Sequence, residues 1–215
     1  MTDLVRRGLY ALPAAGVLTA VPWLFIFGPQ VGSDPRGVFL TGYSVGGYVY
    51  LAGLICLLLG LLALYGYLAQ TRASSWAGRG MVLSVVGIAL ALPFFGITTL
   101  ADPVLADAYL AGHQGASPAI GLLSDKTLTY RTTGYLLVFL FVCVAGAIAY
   151  AVAVWKSDSL PKWAGLVIAA GFVLSMTLTP VFAWVGSLTL VIGGVWLVRS
   201  GLPSPPPHGP SGHSA

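Results

Sequence analysis

Asp102, Asp107, His113 and Asp125 stand in the 31 residues 102–132, the stretch of this chain where titratable side chains gather, with Lys126 beside them. Carboxylates and an imidazole drawn to one point could bind a metal ion. Their spacing matches no ligand motif, so they read as solvated loop residues, with no metal and no catalytic residue expected among them. Val104, Leu105, Ala108 and Tyr109 would form the apolar face of a short helix lying on a membrane surface, a lid over the rest. A connection this long inside a compact protein is often functional, which makes the segment the first target for mutation.

A second polar group follows the prolines. Proline withdraws a backbone donor and frees the carbonyl four residues earlier, so in an apolar helix hydroxyls or water must answer it. Thr98 and Thr99 follow Pro93, and Ser175, Thr177 and Thr179 precede Pro180. With Pro22 they mark a candidate polar cavity where kinked helices meet. The plainer alternative, favoured here, bonds each hydroxyl to its own preceding turn. Cys56 and Cys143 could form a redox pair only if their helices adjoin; buried thiols in apolar surroundings are inert, and packing is the expected role. No CxxC, no Gly-Lys-Ser/Thr phosphate loop and no H-E-x-x-H occurs.

The elements that must carry these residues follow from composition. Of 215 residues, 57% are hydrophobic and 7% charged, against about 25% charged in an ordinary soluble domain. Such a chain cannot cover a water-facing surface and reads as an integral membrane protein. A crossing helix needs roughly 17 to 25 apolar residues. Six charge-free windows qualify: 9–27, 44–69, 80–101, 133–155, 163–179 and 182–198. Continuous apolar runs favour helices over a β-barrel. The expected fold is all-α, a six-helix transmembrane bundle, with an outer loop at 102–132 and a disordered cytoplasmic tail at 200–215. The windows hold no acid, base or histidine, which removes a proton relay and bis-His haem ligation, and no cofactor is implied.

Arg6, Arg7, Arg72, Arg79, Lys156, Lys162 and Arg199 fall on one side of this arrangement, and Arg36, Lys126 and Arg131 on the other. The positive-inside rule then places both termini in the cytoplasm. Reading the first window as a signal peptide is disfavoured by its length and the lack of an A-x-A site. The net charge of +4 forms no stripe or cluster, so nucleic acid is not an expected partner.

A shift of 87 residues superposes Gly47-Tyr48 on Gly134-Tyr135, Cys56 on Cys143, Trp76-Ala77-Gly78 on Trp163-Ala164-Gly165, and Pro93 on Pro180. Trp, Pro and Cys are scarce here, so their coincidence in one register indicates an internal repeat of helical hairpins. The shift preserves direction across the membrane, making the repeat parallel. Gly46, Gly53 and Gly60 recur at heptad spacing, and Gly186 and Gly193 repeat the interval; both sets are expected at helix-packing seams. Trp23, Tyr43, Tyr48 and Tyr130 towards the outer side, and Tyr67, Trp76, Trp155, Trp163 and Trp196 towards the inner side, are expected as interfacial belts.

The run Leu160-Pro161-Lys162-Trp163-Ala164-Gly165, opening a Gly-rich penultimate helix, resembles the ending of small uncharacterised bacterial multi-pass integral membrane proteins of about this size. That resemblance covers the last two helices; it implies a plasma-membrane location and carries no activity. The expectation is a non-enzymatic membrane component, either an accessory subunit or a binder of lipid or another lipophilic ligand. The alternative is a small transporter or channel for a neutral or weakly polar solute. Expected partners are the lipid bilayer and either a membrane protein or a second copy of the chain.

Overall fold

A computed structural model describes residues 3–23, 41–115, 126–177 and 180–200. Asp125, Thr179 and the 200–215 tail beyond Ser200 lie outside the described residues. Those described are helical in chain order: α1 (Asp3–Leu9), α2 (Ala11–Pro22), α3 (Thr41–Leu68), α4 (Ser74–Gly96), α5 (Asp102–Leu110), α6 (Lys126–Ser157), α7 (Lys162–Ser175) and α8 (Pro180–Ser200). Among the described residues, four stretches are long and apolar enough to cross a membrane: Val45–Leu68, Ser74–Tyr109, Thr133–Ser157 and Val181–Ser200. α7 is equally apolar but has 14 residues, about 21 Å of helix against a hydrocarbon core of about 30 Å.

Proline chemistry explains several boundaries. Pro13 has no N–H to offer the Leu9 carbonyl, and α1 breaks from α2 at Tyr10, whose own N–H turns back to Arg7 O at 3.2 Å. Pro93 likewise leaves the Ala89 carbonyl without its donor, and the chain relaxes into a π-helical turn, Ile97–Ala101, before α5 continues it. The start of the outer segment, where a short helix carrying Val104, Leu105, Ala108 and Tyr109 is expected, is helical from Asp102 to Leu110, and α6 starts at Lys126, seven residues ahead of the window at 133. Pro180 opens α8, where a missing N–H costs nothing, so it starts a helix and does not bend one.

Neighbouring elements pack side by side: α2 on α3, α3 on α4, α4 on α6, α6 on α7 and α7 on α8, with α8 returning to α2. Leu54, Leu57, Leu61, Leu64, Phe139, Phe172 and Leu190 fill the interior, none more than 2% exposed. Outward faces carry Val82, Phe141, Ile148, Val181 and Ile192, each more than half exposed, where a helix facing water would be polar. Glycine sets how closely the backbones approach. A Cβ at Gly60 would lie 2.9 Å from Leu12 N, at Gly16 2.8 Å from Val191 N, at Gly87 3.2 Å from Cys143 N and at Gly171 2.6 Å from Leu190 N. The α2–α3, α2–α8, α4–α6 and α7–α8 seams are thus backbone-close. In α6–α7, Gly165 meets the Val154 side chain, next to the connecting turn.

The same contacts pair early residues of one helix with late residues of the next. Residues 3–9, 69–73, 158–161 and 197–200 consequently share one end of the molecule, and Arg7, Arg72, Arg79, Lys156, Lys162 and Arg199 stand there. This is the basic end.

Candidate functional site

Of the polar residues singled out in 102–132, three lie on or just after α5. Asp102 opens α5, while Asp107 and His113 are exposed. Gly112, at φ 76°, ends α5 in a Schellman turn in which the His113 N–H bonds Ala108 O at 3.0 Å, so His113 serves the helix end through its backbone. Val104 and Tyr109 are exposed, and Leu105 and Ala108 half-buried. Among the described residues no group of three His, Cys or acidic side chains could hold a metal ion.

Two of the hydroxyls near the prolines bond their own preceding turn. Ser175 Oγ donates to Phe172 O at 2.9 Å and Thr177 Oγ1 to Leu174 O at 2.7 Å. Thr98 lies in the π-helical turn, and Thr99 is buried there against Gly47 of α3. Pro22 is buried in the last turn of α2; Pro93 is exposed. One hydroxyl pair bridges helices: Thr19 Oγ1 lies 2.8 Å from Ala15 O and 3.0 Å from Ser187 Oγ, and Ser187 donates to Ala183 O. Since each hydroxyl also has an acceptor on its own helix, Thr19→Val should cost about 0.6 kcal/mol, the size of an average interhelical bond in a membrane bundle. A thermal unfolding midpoint in detergent lowered by much more would show a larger role for the pair.

Gly46, Gly53 and Gly60 are buried on α3, with Gly53 against Thr19 and Gly60 against Leu12 of α2. Gly186 and Gly193 of α8 lie against Ser175 and Ile168 of α7. Cys143 is buried with its Sγ against Gly87, whereas Cys56 is half-buried on α3; both are free thiols.

The seam between α6 and α7 behaves differently. Beside the turn it is closed by Gly165 on Val154, and Ser157 Oγ caps the Val154 carbonyl at 2.8 Å. Farther from the turn the two helices leave a groove of about 630 Å³ lined wholly by apolar side chains. α6 contributes Ala147, Ile148, Ala151, Val152 and Trp155, and α7 contributes Leu166, Ala169, Ala170, Val173 and Leu174. Each set is one stripe of a helix, at intervals of three, four or one. Four of the ten are alanines, too short to close the gap; Ala147 and Ala169 form a buried floor, while Ile148, Trp155 and Leu166 stand as an exposed rim. Beyond it, towards the far end of the same seam, a smaller recess of about 250 Å³ is bounded by Thr133, Leu136, Phe139, Leu140 and Met176.

Trp155 brings the groove to the basic end. Its ring meets Trp163 edge-on with centroids 5.9 Å apart, and Lys162 Nζ lies 5.9 Å from its centroid. Trp76, at the start of α4, carries both Arg79 and Lys156 at 5.2 Å. Asp158, in the turn with φ 53°, pairs with Lys162 at 3.7 Å. The arrangement offers hydrocarbon along its length and the Lys162 cation at Trp155, with Lys156 and Arg79 on the neighbouring Trp76.

Sequence reasoning missed three tyrosines. Tyr50 donates to Ser175 O at 2.9 Å, Tyr150 to Leu61 O at 2.8 Å, and Tyr135 to Leu90 O, each joining two helices. The available signal was depth: Tyr50 and Tyr150 lie well inside apolar windows, where a hydroxyl must find a partner. Trp23, expected in a belt, packs edge-on against Tyr50 with centroids 6.4 Å apart.

Comparison with protein-family models, with curated proteins and with solved structures finds no match to this chain.

Proposed function

We propose that this chain is a multi-pass integral membrane protein with a non-enzymatic role, holding a lipid or another lipophilic molecule in the groove between α6 and α7, as a binder or as an accessory subunit. The observation that carries this reading is a groove of about 630 Å³ with no polar lining atom, within the usual range of ligand pockets. The apolar outward faces support burial in a bilayer. The alternative of a transporter for a weakly polar solute draws on the hydroxyls, and Thr19, Ser175, Thr177, Ser187 and Thr189 each have an acceptor on their own helix.

The proposal includes six crossings of the plasma membrane with both termini cytoplasmic. It rests on the cations gathered at one end and on the antiparallel order of neighbours. Trp76 and Trp163, each in the first turn of its helix, support the parallel repeat. An outer position for 102–132 predicts that a single cysteine at Ser117, in an otherwise Cys-free variant, reacts with a membrane-impermeant reagent on intact cells; protection would reverse the topology.

Purification in mild detergent followed by native mass spectrometry tests the function. The wild-type protein should retain lipid, and Ala151→Trp, which fills the groove from its half-buried wall, should lose it while keeping its unfolding midpoint. Equal lipid content in both proteins would refute the groove as the binding place.

A further inference from the structure

We infer that the lipid held between α6 and α7 is an anionic phospholipid, its acyl chain lying along the alanine floor and its phosphate at Lys156 and Lys162. The inference rests on the lipid-binding reading above and adds the headgroup. Three observations carry it together.

First, the groove has the depth of one leaflet. Ala147 to Trp155 spans nine residues of helix, a rise of about 12 Å, against about 15 Å for half a hydrocarbon core. It is one inter-helix gap wide, and Trp155 and Trp163 mark its mouth at the level where interfacial aromatics sit.

Second, the mouth is unbalanced in charge. Lys162 reaches over the Trp155 ring that lines the groove, and Lys156, the next residue along α6, stands with Arg79 at the Trp76 ring of α4. Asp158 is the acid in that turn; its partner is Lys162, and it is 75% exposed. A phosphate at the mouth would complement what Asp158 leaves uncompensated.

Third, Arg79 and Lys156 both stand at the Trp76 ring at 5.2 Å, and among the described residues neither is in an ion pair. A nearby anion would offset the repulsion between these two cations. Anionic lipid is enriched in the cytoplasmic leaflet, the side on which the basic end lies in the proposed topology.

The test titrates the delipidated full-length protein in detergent with phosphatidylglycerol or phosphatidylcholine of equal chain length and reads occupancy by native mass spectrometry. Phosphatidylglycerol should reach half-occupancy at about tenfold lower concentration, given the attraction of two surface lysines, and added salt should shrink that advantage. The double variant Lys156→Gln, Lys162→Gln, altered at exposed positions, should lose the preference, with phosphatidylcholine, whose choline offsets its own phosphate, weakened far less than phosphatidylglycerol. Ala151→Trp should lose both lipids. Equal affinity for the two lipids in the wild type, still abolished by Ala151→Trp, would overturn the headgroup assignment and leave the groove reading intact. Lipid binding unaffected by Ala151→Trp would overturn both. A dimer that Ala151→Trp dissociates would show a second copy of the chain in the groove and would also overturn both.

Discussion

Gly186→Val should leave little folded protein after extraction into mild detergent. A Cβ at this position would fall on the backbone nitrogen of Ser175 and lie 2.5 Å from the carbonyl carbon of Leu174. A flexible side-chain tip could turn aside, but helix backbone cannot, so α7 and α8 would have to separate along their length. Two further approaches would open with them: Gly171, where a Cβ would lie 2.6 Å from Leu190 N, and Gly193, at 3.1 Å from Ile168 N. Overpacking a core ordinarily costs about 1–3 kcal/mol, and three coupled contacts put this substitution at about 3 kcal/mol or more. Gly78→Ala is the matched comparison, a helical glycine with nothing within 4 Å of its added Cβ; relief of the glycine entropy cost should stabilise it by about 0.5–1 kcal/mol. Scanning fluorimetry of both variants in one detergent should show a lost or strongly lowered transition for the first and an unchanged or raised one for the second. Equal midpoints would mean that α7 and α8 are not seated backbone to backbone.

Those two glycines also mark where sequence reading stops. Long apolar helices are legible because a chain with no internal charge over twenty residues has few ways to satisfy its backbone other than a helix; α3, α4, α6 and α8 accordingly overlie windows read from composition. The contacts each face makes are not encoded so locally. Gly78 and Gly165 both end a Trp-Ala-Gly triplet, yet one meets nothing within 4 Å and the other has the Val154 Cβ at 2.6 Å. The difference lies in the neighbouring helix. The groove was hidden for the same reason: alanines 147, 151, 169 and 170 look like packing residues, and only the failure of α6 and α7 to draw together over them leaves a space. The polar stretch 102–132 drew notice because charge is conspicuous in an apolar chain, although the local helix-ending chemistry of Gly112 accounts for the place of His113.

Tyr50 should show the second large effect, in a way that separates its bond from its bulk. The side chain is 2% exposed and fixes three neighbours to α3: Trp23 edge-on at 6.4 Å, Phe95 at 4.7 Å between centroids, and the Ser175 carbonyl through Oη. That carbonyl belongs to the last residue of α7, where a helix runs out of its own donors. Tyr50→Phe keeps the ring and removes the hydroxyl donor from that carbonyl, at an expected cost of about 1–3 kcal/mol. Tyr50→Ala also opens a cavity between three helices and should cost about 3–5 kcal/mol. Tyr150→Phe supplies the contrast, because its acceptor, Leu61 O, lies in the middle of α3 and is already within reach of the helix's own donor four residues on. Its loss should stay near 0.6 kcal/mol, typical of an interhelical bond in a membrane bundle. The expected order of thermal midpoints is therefore Tyr150→Phe highest, Tyr50→Phe lower and Tyr50→Ala lowest. If the two Phe variants unfolded together, the end of α7 would have to be held by something other than the Tyr50 hydroxyl.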